Sequence, residues 1–548
     1  MKNYFDKLQD KVSRYSKKYQ NKPAYAAARL AMWNLGAAIK KHKKPTPVKN
    51  DSNEIQKTKI QPDVLRIAIA EGGGMGDDII QIAYIKQIRK MFTRPVIIDF
   101  YCNAYKAFQD FPFIDNCYPY PKHNPTDDYD VYLVSRRFYI VCKIDEEKTK
   151  QFCPKFYEFC MHCKNITDNV LCGEYNDNLY TQYALQFNKN RQEQSNVHDI
   201  IDVNRYTPKY TQWNESEFNF LDTHDLEPQK YITISRACAS IYDNSHPKLW
   251  PLEYYNELTK MLKETYPDIK IVQIGASSDF SVLENIDKNL LGKTNLDQTK
   301  VLLKNALLHI DGEGGLVHLR NSLYGKSVVI FGPTDPRVFG YEENINLRSK
   351  VCPHACEWIT RTWTNGCIRG HKTPLCMSEM KPEIVFNAIR THLDTIPQYS
   401  YTVSEADKIE SNTPDELIAQ IGRTDQKFTK TAPKGKLTVY ANDLSEPDET
   451  NSKNCQYFHF AKSKGFDAEY GTIYNIPSHD TTYDIVYNCD IDNCKNPSHA
   501  LRESLRIVKK GGNLYIRATK GNIALASEYF NKKINTTKKY ICINKKGN

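Results

Sequence analysis

At 548 residues the chain exceeds what one hydrophobic core sustains, so more than one domain is expected. With 40% hydrophobic and 26% charged residues it has a soluble balance, and no run of 18 apolar residues marks a membrane span. The net charge of +10 points to anionic partners such as nucleotide phosphates, anionic lipid headgroups or acidic glycans; no nucleic-acid recognition motif accompanies it. The start Met1-Lys2-Asn3-Tyr4-Phe5-Asp6 lacks the apolar stretch of a signal peptide, so a cytoplasmic location is expected. The sixteen cysteines then read as thiols or metal ligands rather than a disulfide framework.

Residues 1–45 carry twelve Lys/Arg against two Asp. Tyr4, Phe5, Leu8, Val12, Tyr15 and Tyr19 recur at helical spacing. A basic amphipathic helix of this kind lies on an anionic membrane surface, and a solvated helix packed on its own domain has the same pattern. Pro45, Pro47 and Pro62 mark a linker, closing an N-terminal segment of 1–62.

The first folded domain is expected over 63–225. Residues 65–70 are a buried-type strand, followed by the turn Glu71-Gly72-Gly73-Gly74-Met75-Gly76-Asp77-Asp78. Ile79, Ile80, Ala83, Ile85 and Ile88 then fit a helix, and 96–98 a strand, which makes a βαβ unit of an open α/β sheet. The turn lies at the carboxyl end of its strand, where such sheets take ligands. Asp77 would stand beside the helix start, where plain capping also suits it, and Asp78 is an adjacent alternative for any carboxylate chemistry. Farther on, 131–134 is a strand; Cys153, Cys160, Cys163 and Cys172 form a group whose outer spacings are irregular for zinc.

A second α/β domain is expected over 226–395. It has a strand at 231–236 ending in Ser235-Arg236, a loop ending in His246-Pro247-Lys248-Leu249-Trp250, a helix at 252–266 and a strand at 269–275. Gly292-Lys293-Thr294-Asn295-Leu296 precedes a helix at 298–306. The strand at 308–310 then runs through Gly312-Glu313-Gly314-Gly315 into a helix containing His318, and the strand at 328–331 ends in Gly332-Pro333-Thr334-Asp335-Pro336. A glycine turn at a helix start exposes backbone N–H groups that favour an anion, typically a nucleotide phosphate; a simple tight turn is the plain alternative. Cys352, Cys356, Cys367 and Cys376 follow, four soft ligands within 25 residues that suit a structural zinc or iron, or stand as unliganded thiols. Residues 396–433 are polar and read as a linker, and 434–548 repeat a strand–helix pattern.

Gly315-x-x-His318-Leu319, a strand, then Phe331-Gly332-Pro333-Thr334-Asp335-Pro336 resembles the nucleotide-sugar domain of the heptosyltransferase family, glycosyltransferase family 9. Gly76-Asp77, Lys248-x-Trp250 and Gly292-x-Thr294-x-Leu296 stand at matching places; the family usually has Asp where this chain has Glu313. The resemblance implies an α/β protein of the GT-B type, with two Rossmann-like domains around a central cleft. It implies inverting transfer of a heptose or related sugar from a nucleotide sugar, ADP-heptose foremost, with no cofactor required for catalysis. Asp77 would be the base and Lys248 would neutralise the diphosphate. Ser235, Arg236, Thr294, Glu313, Gly314, Gly315, His318 and Thr334 would bind the donor. Acceptors in the family are lipopolysaccharide core or related surface glycans, and in one branch proteins; that branch is similar in holding iron through cysteines. The basic N-terminus leans toward a glycolipid met at the inner face of the cytoplasmic membrane. A non-catalytic sugar-binding or scaffold protein is the reading from another class. The tail, with Tyr483-Asp484-Ile485-Val486-Tyr487 and Arg506-Ile507-Val508-Lys509-Lys510-Gly511-Gly512, resembles a small, degenerate class I methyltransferase domain that lacks the glycine-rich cofactor loop.

Overall fold

The computed structural model describes residues 64–547, apart from 110, 112, 122–124, 136, 171–176, 208, 210–216, 218, 237–245, 277–281, 353–354, 358, 360–362, 398, 422–434, 443–465, 472, 490, 492–493 and 495. The basic segment 1–62 and Cys172 lie outside the described residues. The described residues contain no helix long and apolar enough to cross a membrane.

Three sheets follow one another along the chain. The first comprises β1 (Leu65–Glu71), β2 (Val96–Cys102), β3 (Asn116–Pro119), β4 (Val131–Ser135) and β5 (Tyr139–Ile144), ordered β3-β2-β1-β4-β5. All pairs are parallel except β4 with β5. Strand β1 is apolar without alternation because both its faces are covered. The helix Met75–Met91 follows β1; Asp77 and Asp78 in its first turn and Arg89 and Lys90 in its last complement its dipole. It is buried on almost every side, Gln81, Lys86 and Arg89 included, because it is packed between this sheet and two later parts of the chain.

The second sheet is wholly parallel, with β6 (Tyr231–Ile234), β7 (Lys270–Gln273), β8 (Lys288–Asn289), β9 (Leu308–Gly312), β10 (Ser327–Phe331) and β11 (Ile345–Arg348) ordered β11-β10-β9-β6-β7-β8. Its helices include Leu252–Thr265, Leu296–Asn305 and Gly315–Ser322. Asn295 caps the second of these through a capping box with Gln298. Trp250 is core: its indole N–H donates to Met380 O at 2.7 Å.

The third sheet holds β12 (Tyr399–Ala406), β13 (Leu417–Ile421), β14 (Lys436–Asn442), β15 (Asp467–Gly471), β16 (Tyr483–Asn488), β17 (Val508–Arg517) and β18 (Tyr540–Gly547), ordered β12-β18-β17-β16-β13-β14-β15. Strands β12 and β13 fall within 396–433, where composition alone suggests a linker. Strand β12 is an edge strand with much of its length exposed, so its polar residues do not oppose pairing.

Candidate active site

Each of the first two sheets changes direction of strand order once, and Asp77, Ser235, Arg236, Glu313, Gly314 and Gly315 follow the carboxyl ends of strands that flank those points. In the first sheet, Glu71 ends β1 and lies in register with Ser135 at the end of β4. Its Oε1 accepts the N–H of Gly73 at 2.8 Å. Asn103 braces the same turn, donating to the carbonyls of Gly72 and Gly73.

Geometry separates the two adjacent aspartates. Asp78 is fully buried and accepts the N–H of Ala104 at 3.1 Å; burial pushes its pKa up to about 8. Asp77 is not a side-chain cap; the cap residue is Gly74, with no side-chain bond. Its side chain, 35% exposed, receives Arg191 at 3.0 Å. Burial acts to raise the Asp77 pKa, but Arg191, Arg137 and His318 outweigh it and hold the carboxyl below its ordinary value.

Arg191 comes from an irregular but buried stretch. Gln192, Gln194 and Asn196 use their amides to satisfy carbonyls of Asn204, Thr207, Tyr180, Ile201 and Val203. The backbone N–H of Arg191 itself donates to Val338 O at 2.6 Å, tying this stretch to the second domain.

In the second sheet Ser235 and Arg236 follow β6, Glu313 follows β9, and Thr334 follows β10, and these three strands are neighbours. Glu313 is buried and takes Lys248 at 2.5 Å, with His318 at 3.9 Å. Burial would raise its pKa, yet Lys248 and His318 hold it well below the usual carboxylate range. Lys248 also lies 3.8 Å from Glu357, which Arg137 meets at 3.3 Å. The His318 ring bonds the Tyr341 hydroxyl through Nδ1 at 2.6 Å. Ser235 and Thr334 are fully buried, and the Thr334 hydroxyl has no hydrogen-bond partner among the described residues.

The two domains meet at their helix starts. A Cβ on Gly76 would fall 2.4 Å from His318 Cδ2, and one on Gly315 would fall 3.1 Å from Met75 Cε. The Met75 methyl, at the far end of a flexible side chain, can move aside, so packing demands glycine at 76 and not at 315. Gly314 is the cap of the helix Gly315–Ser322 in extended backbone. Thr294 lies at the start of the helix Leu296–Asn305, its hydroxyl 2.9 Å from that of Thr299. The structure thus brings Asp77, Lys248, Glu313, Gly314, Gly315 and His318 around one cleft. Glu71, Arg137, Arg191, Tyr341 and Glu357 join them without being singled out as site residues by the sequence. Only Glu71, an acid between a buried strand and a glycine run, has a local signal.

The cysteine-bearing segment packs back on the turn after β10, with the N–H groups of Cys356 and Glu357 donating to Pro333 O at 2.9 and 3.1 Å. Cys352 and Cys376 are buried, and burial followed by the neighbouring cysteines raises the pKa of Cys376 to about 12. The thiols suit a soft metal by type, but among the described residues no three His, Cys, Asp or Glu side chains converge as a metal site. What the segment does place in the cleft is Glu357.

Residues 182–359 match Glycosyltransferase family 9 (heptosyltransferase), and residues 420–516 match a methyltransferase domain. The chain is a glycosyltransferase with a family 9 domain. That match covers Arg191, Lys248, Glu313 and His318; Asp77 precedes it. No curated protein sequence matches the glycosyltransferase chain. Among solved structures, a glycosyl transferase family 9 protein from Veillonella parvula is 15% identical, with a TM-score of 0.41 over 62% of this chain and 99% of its own. The ADP-heptose lps heptosyltransferase II of E. coli is 14% identical, with a TM-score of 0.34 over 60% and 98%. The iron-containing dodecameric glycosyltransferase TibC from enterotoxigenic E. coli is 12% identical, with a TM-score of 0.40 over 60% and 76%.

After β13 the sequence Gly422-Arg423-Thr424-Asp425 has one glycine where a backbone cradle needs several. Strands β13 and β16 flank the switch point of this sheet, and there both the N–H and the thiol of Cys489 donate to Ile421 O, at 3.2 and 3.0 Å.

Proposed function

We propose that the protein is an inverting glycosyltransferase that moves a heptose or related sugar from a nucleotide sugar, ADP-heptose foremost, to a hydroxyl of a lipopolysaccharide or surface-glycan acceptor. The carrying observation is the pair of opposed charges across the cleft: an ionised, solvent-reachable Asp77 on one side and Lys248 on the other. Asp77 takes the proton of the acceptor hydroxyl, whose oxygen attacks the anomeric carbon from the face opposite the nucleotide. The bond to the diphosphate breaks, and Lys248 with the backbone around Gly314 and Gly315 meets the charge that leaves. Glu313 and His318 orient donor hydroxyls, and Ser235, Arg236, Thr294 and Thr334 line the donor side. No step needs a metal or cofactor at the reaction centre; a metal on the cysteines, if bound, would brace Glu357's segment. The net charge of +10 supports an anionic acceptor surface, and a protein hydroxyl is the alternative acceptor.

The test is transfer and donor hydrolysis by the full chain against a panel of nucleotide sugars, with Asp77→Ala alongside. Turnover of ADP-heptose falling by about 100- to 10,000-fold in a folded variant is the expected result. Normal turnover by Asp77→Ala would remove the base assignment. Binding of every donor without turnover would favour a sugar-binding or scaffold protein.

A further inference from the structure

The reactive ends of the cleft belong to two helices, Met75–Met91 with Asp77 and Gly315–Ser322 with His318. Both are gripped at their far ends by the methyltransferase-like domain. In the last turns of the first helix, Lys86 and Lys90 meet Glu469 of β15 at 3.0 and 2.7 Å. At the end of the second, Asn475 donates to Ser322 O at 3.0 Å. Lys304 of the neighbouring helix joins that carbonyl end to the same domain, donating to Leu323 O at 3.0 Å and Asn475 Oδ1 at 3.0 Å and pairing with Glu503 at 2.7 Å. Arg506 lies 4.7 Å over the Tyr324 ring.

These are buried contacts. The Lys86 side chain is wholly inaccessible; burial lowers its pKa to about 8 against the pull of Glu469. Glu503 is buried between Lys304 and Arg506. Buried ion pairs add little net stability over an apolar contact, but losing one partner leaves a costly lone charge, so they specify one arrangement. Nothing in the cofactor chemistry of a methyltransferase calls for them.

We infer that the methyltransferase-like domain serves the glycosyl transfer as a brace: Glu469, Asn475 and Glu503 are positioning residues that hold the two active-site helices at one separation. The brace rests on the proposed roles of Asp77 and His318 for its consequence in rate, but not for its geometry. It acts at a distance from the chemistry, where a displacement of about 1 Å costs on the order of 100-fold in rate.

The experiment uses the full chain with spin labels on unnatural residues at exposed Lys106 of the first domain and Lys260 of the second. Their distance distribution is read with and without ADP, together with kcat and donor KM. The wild type is expected to give one narrow distance in both states. Glu469→Gln with Asn475→Ala is expected to broaden it and lower kcat about 10- to 100-fold, with donor KM changed less than about threefold. An unchanged distribution overturns the brace, whether or not activity falls. If that double variant does not fold, Lys90→Gln, at the partly open edge of the same contact, reads the same quantities, and a narrow wild-type distance there overturns the proposal too. Asp77→Ala with the brace intact keeps the narrow distance, so failure of the base assignment and failure of the brace are read separately.

Discussion

The two Rossmann-like halves open their ligand ends alike: a buried strand, a glutamate, a glycine turn, a helix. The glutamates, Glu71 and Glu313, are 3% and 8% exposed, so burial alone predicts the same fate for both. They diverge. Burial pushes Glu71 up to about 7, the charge of Asp77 adds to this, and Arg191 only partly opposes it. Glu313 is held well below the usual range instead. The difference is ownership of a cation. Glu313 has Lys248 at 2.5 Å, whereas Glu71 stands 3.9 Å from an Arg191 that binds Asp77 at 3.0 Å. A shared cation at longer range does not repay desolvation, and a close one does.

Removing the owned cation breaks this contrast most strongly. Lys248→Met should make Glu313 resemble Glu71, raising its pKa and costing about 3–5 kcal/mol of stability as an uncompensated buried charge. On the proposed mechanism it also lowers kcat by about 100- to 1000-fold, which steady-state kinetics on ADP-heptose would reveal. Thermal melts against pH give the stability side. The Glu313 contribution, from a depressed pKa, is present above pH 4.5 and is lost as pH falls below it.

Next in size is the seam between the halves. Gly76→Ala places a methyl 2.4 Å from a His318 ring that Tyr341 holds. The expected cost is about 1–3 kcal/mol in a denaturant titration, with activity lost more steeply because the helix starts are pushed apart. Wild-type stability and rate in that variant would show that the two helix starts have room to slide.

The smallest effect sharpens the comparison from the other side. The Glu71 pKa is raised from 4.5 to about 7, so its contribution to stability is fully present below pH 4.5 and is lost as pH rises through 7. Glu71→Gln should therefore melt a few degrees above wild type at pH 8, with the gap closing in acid. In kinetics, ionisation of Glu71 draws on Arg191 and leaves Asp77 more basic, so kcat/KM should rise through about pH 7 in the wild type. The variant should lack that inflection; if it keeps it, another group titrates there.

Much of the frame is legible in the amino-acid order. The strand at 65–70 is found as Leu65–Glu71, and the helix containing His318 as Gly315–Ser322, because long apolar runs and glycine punctuation are local signals. The short strands β3 and β5 are not legible, being partly exposed and mixed in composition. Strand β12 hides in a polar stretch for the same reason; β13 is buried, but its five residues are too short a run to stand out within that stretch. Of the site, Asp77, Lys248, Glu313 and His318 follow from motif positions and do converge. Arg191 does not follow, since it sits in a loop whose conformation depends on amides bonding backbone several residues away.

The order of residues by itself determined three α/β units, two glycine turns at strand ends and the charged side chains beside them, since periodicity and turn chemistry act over a few residues. Only the tertiary structure decided which aspartate faces the cleft, which glutamate owns a cation, and what the third domain touches. Those outcomes turn on contacts of 4 Å or less between groups dozens to hundreds of positions apart, such as Lys248 with Glu313, Asp77 with Arg191 and Lys86 with Glu469. Electrostatics at that range in a buried setting is set by packing, and packing joins residues that no local pattern links.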